Sequence, residues 1–408
     1  MEDLYEYHDN ILRSVSNRYF RFLMDKVDWS QRLIAIKGAR GVGKTTLILQ
    51  YLKFVLKNVD ASLYITADHY WFYTNNLVQT ADLFYKNGGR YLFIDEVHKY
   101  PNWSTEIKNI YDGYPELKIV FTSSSILDIY KGEADLSRRL ITYELPGLSF
   151  REYLEMNHSF KKLPPITLEA IQYHSREYIN TVLEEIRHPL PLFKSYLKTG
   201  YFPFSTNEKE ESTLKKLNQI VNTIIETDLA IMQGFDVKTA FKIKKLLGVI
   251  AESVPFKPNI TALSRKLDVS RDTVYHWLVL LEKARLVNLL MAKGKGVSTL
   301  QKPDKLFLEN TNWNYSFRSQ ANIGSIRETF LLSQLLNAAS VDGKANFQIK
   351  LPETGDFYIE EYDLTVEVGG KSKTSKQVKN ENNFLVAADD IEMGRGNKVP
   401  LWLFGFLY

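Results

Sequence analysis

Eight residues, Gly38-Ala39-Arg40-Gly41-Val42-Gly43-Lys44-Thr45, constrain this chain more than any other stretch, because they spell G-x-x-x-x-G-K-[ST] between an apolar run and a helix-like segment. Leu33-Ile34-Ala35-Ile36 reads as a buried strand. Thr45 to Leu56 reads as a helix with Leu49, Leu52 and Leu56 on one face. Glycines at 38, 41 and 43 let the backbone turn tightly, so its N–H groups and the helix N-terminus can hold an anion. Lys44 is expected to reach the β- and γ-phosphates of a nucleotide, and the Thr45 hydroxyl to ligate the magnesium that bridges them. Thr46 is expected at the edge of this cradle, capping or packing.

A second apolar run, Tyr91-Leu92-Phe93-Ile94, closes on Asp95-Glu96 about fifty residues later. A strand buried on both faces would deliver Asp95 to the magnesium shell beside Thr45, and leave Glu96 to orient the attacking water or accept its proton. Lys118 to Thr122 forms the next strand and runs into Ser123-Ser124-Ser125. By resemblance to ATPases of the AAA type, in which a polar residue at this strand end senses the γ-phosphate, Thr122, Ser123 or Ser124 is expected to do so, with Ser123 the leading candidate; a capping serine run is the alternative. Arg138 and Arg139 precede the strand-like Ile141 to Leu145. In an oligomer one of them would serve as an arginine finger; otherwise they form a solvated surface pair.

At 408 residues, with 44% hydrophobic and 25% charged residues, several domains are expected and no apolar run is long enough to cross a bilayer. The amino terminus lacks a signal-peptide core, so a cytoplasmic location is expected. With no cysteine, disulfides, thiolate zinc sites and cysteine nucleophiles are excluded. Residues 1–30 read as helix leading into the first strand, without a functional role. The net charge of +4 conceals a bias: residues 238–305 hold 14 Lys and Arg against 5 Asp and Glu, an excess of nine, so the remainder carries −5.

The alternation of strand and helix to Leu145 predicts an α/β fold, a doubly wound, mostly parallel sheet with nucleotide at the carboxyl ends of its strands. The expected domains are 1–148, a P-loop ATPase core with an N-terminal helix; 149–235, a helical lid interrupted by Pro189, Pro191 and Pro203; 236–312, a winged helix-turn-helix; and 313–408, a small α/β domain. In the third, Thr261 is expected to cap one helix and Ser270 a second, whose Val274, Trp277, Leu278 and Leu281 face inward. Arg271, Thr273, Tyr275 and His276 would then face outward toward DNA, with Lys293 and Lys295 at the basic tip of a hairpin wing. A protein-binding winged helix is the alternative. In the last domain, Phe347 to Leu351, Asp356 to Ile359 and Leu364 to Val368 are expected strands. Asp356 and Glu367 lie near strand ends in the layout of a PD-(D/E)xK nuclease core and would make a second, weak metal site. The lysine position two beyond the second acid is Gly369, which argues against cleavage; Lys371 is the expected substitute.

The loop at 38–45, the Ile94-Asp95-Glu96 strand end, Thr122 to Ser125, Glu144-Leu145-Pro146-Gly147-Leu148-Ser149-Phe150-Arg151-Glu152, Glu367 to Lys371 and Pro400 to Gly405 together resemble a prokaryotic family of AAA-type ATPases that carry a C-terminal domain of unknown function. The resemblance covers nearly the whole chain. It implies an ATPase core, a winged helix and a nuclease-like end, with ATP and Mg2+ as cofactors and a homo-oligomer as the assembly. Three functions compete: an ATP-hydrolysing switch or motor on DNA, a nucleotide-gated protein-interaction module, and an ATP-gated nuclease.

Overall fold

The computed structural model describes residues 1–56, 58–123, 136, 138–158, 160, 163–206, 208–253, 255–294, 303–318, 321–341 and 348–408. Contacts divide the chain into two compact units, Met1–Pro146 and Gly147–Tyr408.

In the first unit, five strands form one sheet: β1 (Leu33–Lys37), β2 (Ser62–Thr66), β3 (Tyr91–Asp95), β4 (Lys118–Ser123) and β5 (Ile141–Glu144), ordered β2-β3-β4-β1-β5. Every pairing is parallel, with Leu33 beside Ile119, Leu63 beside Leu92 and Ile34 beside Ile141. The alternation of strand and helix predicts an α/β fold with a mostly parallel sheet, and the sheet found is parallel in every pairing. Leu33, Ile34, Ala35 and Ile36 are fully buried, as a strand covered on both faces requires.

Among the described residues, helices α1 (Glu2–Ser14), α2 (Lys44–Gln50), α3 (Leu77–Lys86) and α4 (Trp103–Gly113) connect and cover these strands. The helix expected to run unbroken to Leu56 instead widens into a π-turn over Tyr51–Val55. Apolar side chains from α1, α3 and α4 meet β1 to β4 in one cluster that includes Leu4, Leu63, Phe84, Ile94, Ile107 and Phe121. Because every chain crossing in this sheet is parallel, the carboxyl ends of β1, β3 and β4 lie side by side, and the loops after them share one edge.

In the second unit, helices from Phe150–His158 to Tyr196–Gly200 contribute Phe150, Leu154, Val182, Phe193 and Tyr196 to the same hydrophobic cluster as Phe330, Leu335, Val366, Trp402 and Phe406. Segment 150–197 therefore shares a core with the carboxyl-terminal residues. Two of the prolines expected to interrupt helices begin them: Pro189 opens Pro189–Ser195 and Pro203 opens a 3-10 turn. Proline at the first helical position has no N–H to lose and its ring already supplies a helical φ.

Farther along, helix Ile260–Leu267, a turn at Asp268 with φ 51°, and helix Arg271–Lys283 precede an antiparallel pair, β6 (Val287–Leu290) and β7 (Lys305–Leu308). Ser270 caps the second helix, its Oγ accepting from Thr273 N at 3.0 Å. Asn259, not Thr261, caps the first, with Oδ1 accepting from Ala262 N at 3.0 Å. The chain turns helical two residues earlier than expected, so Thr261 falls inside the first turn.

The last sheet is ordered β12-β11-β10-β9-β8, with β8 (Ile349–Lys350), β9 (Phe357–Ile359), β10 (Leu364–Gly369), β11 (Phe384–Ala388) and β12 (Lys398–Pro400). The first three strands run antiparallel to one another, and β10 to β12 are parallel. Phe347, Ser124 and Lys295 lie outside the described residues. Among the described residues no helix is long and apolar enough to cross a membrane.

Candidate nucleotide-binding site

The loop between β1 and α2 takes its shape from glycine, with Gly41 at φ 87° and Gly43 at φ 96°, backbone that a side chain would strain. Gly43 is the residue from which α2 starts. Ala39 and Val42 are buried, Arg40 and Thr45 are half-buried, and Gly41 and Thr46 are exposed. Lys44 is 6% exposed, and its ammonium donates to Gly38 O at 3.0 Å and Ala39 O at 2.9 Å. The cation thus lies folded back onto the carbonyls of its own loop.

From the next residue, Thr45 Oγ1 donates to Asp95 Oδ2 at 2.7 Å, so the end of β3 and the first turn of α2 meet across the loop. Tyr64, one strand over on β2, donates its hydroxyl to the same Oδ2 at 2.9 Å. Burial, reinforced by the Asp95 carboxylate, pushes the Tyr64 phenol far above its usual range, so it remains a donor. On the other side Thr122 Oγ1 donates to Asp95 Oδ1 and accepts from Glu96 N at 3.0 Å. One carboxylate is therefore held by three hydroxyls, from α2, β2 and β4. The donor set of hydroxyl and carboxylate oxygens is that of a hard divalent cation such as magnesium, and Thr45 with Asp95 are the residues that would hold it.

Glu96 itself sits at φ 53°, a conformation rare for a non-glycine residue and one that turns its side chain away from the strand direction. Its Oε2 lies 2.5 Å from Lys99 Nζ, which is also 2.5 Å from Asp68 Oδ2 at the end of β2. Burial pushes the Glu96 carboxyl up, but Lys99, with His98 and Arg40, outweighs it and holds the acid below its usual range. Ser123 is fully buried, with Oγ 3.2 Å from His98 Nδ1. Burial lowers the His98 imidazole to about 4 against the opposing pull of Glu96, and Lys44, Lys99 and Arg40 lower it further. At neutral pH the ring is uncharged.

The structure thus brings together the residues of the loop, Asp95, Glu96 and Ser123. It gives the bridging position among the sensor candidates to Thr122, whose hydroxyl is bonded to both Asp95 and Glu96. Arg139 is turned to its own chain, donating from Nε and Nη2 to the two carboxylate oxygens of Asp112 at 2.9 and 3.0 Å, while Arg138 is exposed. Tyr64, Lys99, Asp68 and Arg21 were not singled out from the sequence. Tyr64 has a sequence signal, a polar tip within the apolar run Leu63-Tyr64-Ile65; Lys99 has a weaker one, three residues beyond Glu96.

Elsewhere, Arg271 and His276 are exposed, and Thr273 and Tyr275 half-buried. Thr273 and His276 line a cavity of about 610 Å³ together with Phe235, Lys238, Lys242 and Trp277. Lys293 is drawn over the Tyr358 ring, 3.6 Å from its centroid. In the last sheet, Asp356 Oδ2 accepts from Val368 N at 2.8 Å, and Glu367 pairs with Lys373. A Cβ at Gly369 would meet the Lys373 stem at 2.5 Å, so Lys373 fills the space above the glycine. Lys371, the expected substitute, is exposed, and its backbone carbonyl accepts from Lys398 Nζ at 2.7 Å. Among the described residues no group of three or more His, Cys, Asp or Glu is placed to hold a metal, so Asp356 and Glu367 stand as a pair.

Residues 30–154 match the family described as an AAA domain, and residues 190–311 match a domain of unknown function, DUF8612. The uncharacterized protein MJ1637 of Methanocaldococcus jannaschii is 25% identical over 413 residues, covering 93% of this chain and 85% of its own. Among solved structures, DnaA from Aquifex aeolicus bound to AMPPCP is 14% identical, with a TM-score of 0.24, 67% of this chain and 86% of that one covered. The Saccharomyces cerevisiae Hsp104-ADP complex is 13% identical, with a TM-score of 0.28 and coverage of 68% and 37%. Caenorhabditis elegans PCH-2 is 17% identical, with a TM-score of 0.27 and coverage of 36% and 49%. The chain thus spans less than half the length of the last two. The loop, the acid pair at the end of β3 and the domain match make residues 30–154 a P-loop domain of the AAA ATPase type.

Proposed function

We propose that this protein binds ATP with magnesium, hydrolyses it, and uses the cycle as a switch or motor that acts on DNA in the cytoplasm. One observation carries the enzymatic part: Thr45 and Asp95 meet at 2.7 Å beside a cationic Lys44, with Glu96 the next residue along. A bound magnesium would neutralise charge on the β- and γ-phosphates. Lys44 swings from the Gly38 and Ala39 carbonyls to the phosphate oxygens, a change of partner that keeps a buried cation bonded. Thr45 and Asp95 would hold the metal, Glu96 would accept the proton of the attacking water, and Thr122 links the positions of the two acids. Arg138, rather than the paired Arg139, acts as the finger in a homo-oligomer.

The test is nucleotide binding and turnover with three proteins. Lys44→Ala should weaken MgATP binding by about ten- to a hundredfold, the loss of one or two charge-assisted hydrogen bonds. Glu96→Gln should bind as the wild type does and fail to turn over. Turnover by Glu96→Gln at the wild-type rate would mean that another group accepts the proton.

DNA is the partner favoured by the basic excess of residues 238–305 and by the exposed Arg271 and His276 at the start of helix Arg271–Lys283. Binding should weaken steeply with salt, and Arg271→Ala should lower the salt slope by about one unit. Val237 and Phe241, 88% and 68% exposed near the cavity beside that helix, favour a second reading in which this surface takes a protein. Absence of DNA binding at low salt decides for it.

A further inference from the structure

We infer that Arg21 is a positioning residue that shapes the phosphate loop and ties it to the peptide leaving the first unit, so that phosphate binding is felt at Pro146. The inference rests on nucleotide binding at the loop as proposed above.

Arg21 lies in the stretch before β1 and is 5% exposed. A guanidinium so deeply buried is costly unless its donors are bonded, and its planar fork can grip two acceptors at once. Here Nη1 donates to Val42 O at 2.6 Å and Nη2 to Pro146 O at 2.8 Å. The first bond acts on the loop from behind. A peptide unit is planar and trans, so the Val42 carbonyl and the Gly43 N–H point in opposite directions. Holding that carbonyl toward Arg21 turns the Gly43 N–H the other way, at the residue from which α2 begins. Gly43, at φ 96° and without a Cβ, leaves this peptide free to rotate, and an outside anchor is what fixes it.

The second bond reaches the exit. Pro146 is the last residue of the first unit. Its neighbour Leu145 is fastened to the other end of the loop, with Leu145 N donating to Lys37 O at 2.8 Å and Leu145 O so close to Gly38 that a Cβ there would lie 2.3 Å from it. Thus Leu145 abuts the start of the phosphate loop, and Pro146 is held through Arg21 to its end. A phosphate that accepts from the Gly43 N–H polarises that peptide, makes its carbonyl a better acceptor for Arg21, and so strengthens the Val42–Arg21–Pro146 chain of hydrogen bonds.

The experiment compares wild type, Arg21→Ala, Arg21→Lys and Lys53→Ala. Lys53 binds the carbonyls of Leu12 and Val15 in the same amino-terminal region without touching the loop, so it reports loss of an anchor there alone. MgATP and MgADP affinities are measured with amide exchange over residues 143–149, with and without saturating nucleotide. Wild type and Lys53→Ala should bind alike and show slower exchange at 143–149 when nucleotide is present. Arg21→Ala should bind at least tenfold more weakly and, once saturated, show no slowing there. Arg21→Lys keeps the charge but not the fork; it should bind with intermediate affinity and also lose the response at 143–149, which covers the case in which the alanine variant does not fold. Wild-type affinity in Arg21→Ala, or an undiminished response at 143–149 in either Arg21 variant, overturns the inference while leaving the nucleotide site standing. A wild type that binds no nucleotide overturns the site itself, and this inference with it.

Discussion

Lys99 Nζ lies 2.5 Å from Glu96 Oε2, so the acid proposed to activate water is held by a cation three residues further along the chain. The same ammonium is shared with Asp68. An acid bonded to lysine is a poor proton acceptor, and turnover requires it to let go.

Lys99→Met should therefore raise the rate of ATP turnover severalfold with little change in affinity. Asp68→Asn removes the competing carboxylate, leaves Lys99 to Glu96 alone, and should lower the rate. Steady-state kinetics of the two variants checks this. Changes in the same direction from both would refute the view that Lys99 restrains Glu96 and is shared with Asp68.

A prediction about assembly follows from Arg139 being paired with Asp112 while Arg138 is exposed. If Arg138 completes a neighbouring site, Arg138→Ala chains mixed with Lys44→Ala chains should recover part of the activity that each lacks alone. Arg139→Ala should act through its own chain instead, weakening the packing of α4 and gaining nothing from mixing. Rescue of the Arg139 variant but not the Arg138 variant would reverse the assignment.

Glu282 supplies a pH dependence in the second unit. Burial raises its carboxyl to about 7, against the Leu289 N–H it accepts at 3.0 Å and nearby Lys283. Its folded pKa lies above its unfolded one, so the folded state holds the proton more tightly. The stabilisation is complete below about 4.5 and is lost as pH rises to about 7, a change on the order of 3 kcal/mol. Glu282→Gln should raise the melting temperature of the second unit at pH 8 and leave it nearly unchanged at pH 4. Equal shifts at both pH values would show that burial of the charge is not the cause.

Lys373 covers Gly369 and pairs with the nearly buried Glu367. Only the Glu367 end of this pair is buried, with the Lys373 side chain 31% exposed, so removing the lysine leaves one desolvated acid and costs about 1–3 kcal/mol. Lys373→Met should thus destabilise the second unit, and Glu367→Gln in the same chain should recover most of the loss. Denaturant melts of the single and double variants test the coupling. We expect no cleavage of plasmid or single-stranded DNA with magnesium or manganese; cleavage that vanishes in both Glu367→Ala and Lys373→Ala would establish a nuclease.

The elements that were legible beforehand are those whose signal is local. Leu33 to Ile36 and Tyr91 to Ile94 are continuous apolar runs, and a parallel strand buried on both faces leaves no other pattern. Ser270 was identifiable as a cap because a serine before an apolar helical period has one common use. What could not be read are contacts between residues distant in sequence. Tyr64 reaches Asp95 only because β2 and β3 are neighbours, a fact of sheet order. Residues 1–30 carried no motif, and Arg21 stands out only once Val42 and Pro146 have been brought to it. Thr261 was mistaken for a cap because Asn259, two residues earlier, is an equally good one. Lys373 reads in the sequence as close but out of register, because a lysine four residues beyond Gly369 reaches back only after the chain has turned.

Phe150 rests against Phe406 with ring centroids 5.8 Å apart, and Arg151 Nε donates to the carbonyl of Tyr408, a separation of 257 residues. Closing so long a loop is slow, and its reward arrives late in synthesis. The first unit can fold while the remainder is still being made, since all five strands of its sheet precede Pro146. The second cannot complete its core until the residues around Phe406 have left the ribosome, so its opening helices must wait with apolar faces uncovered. During that interval the nascent chain is most open to chaperones and to aggregation.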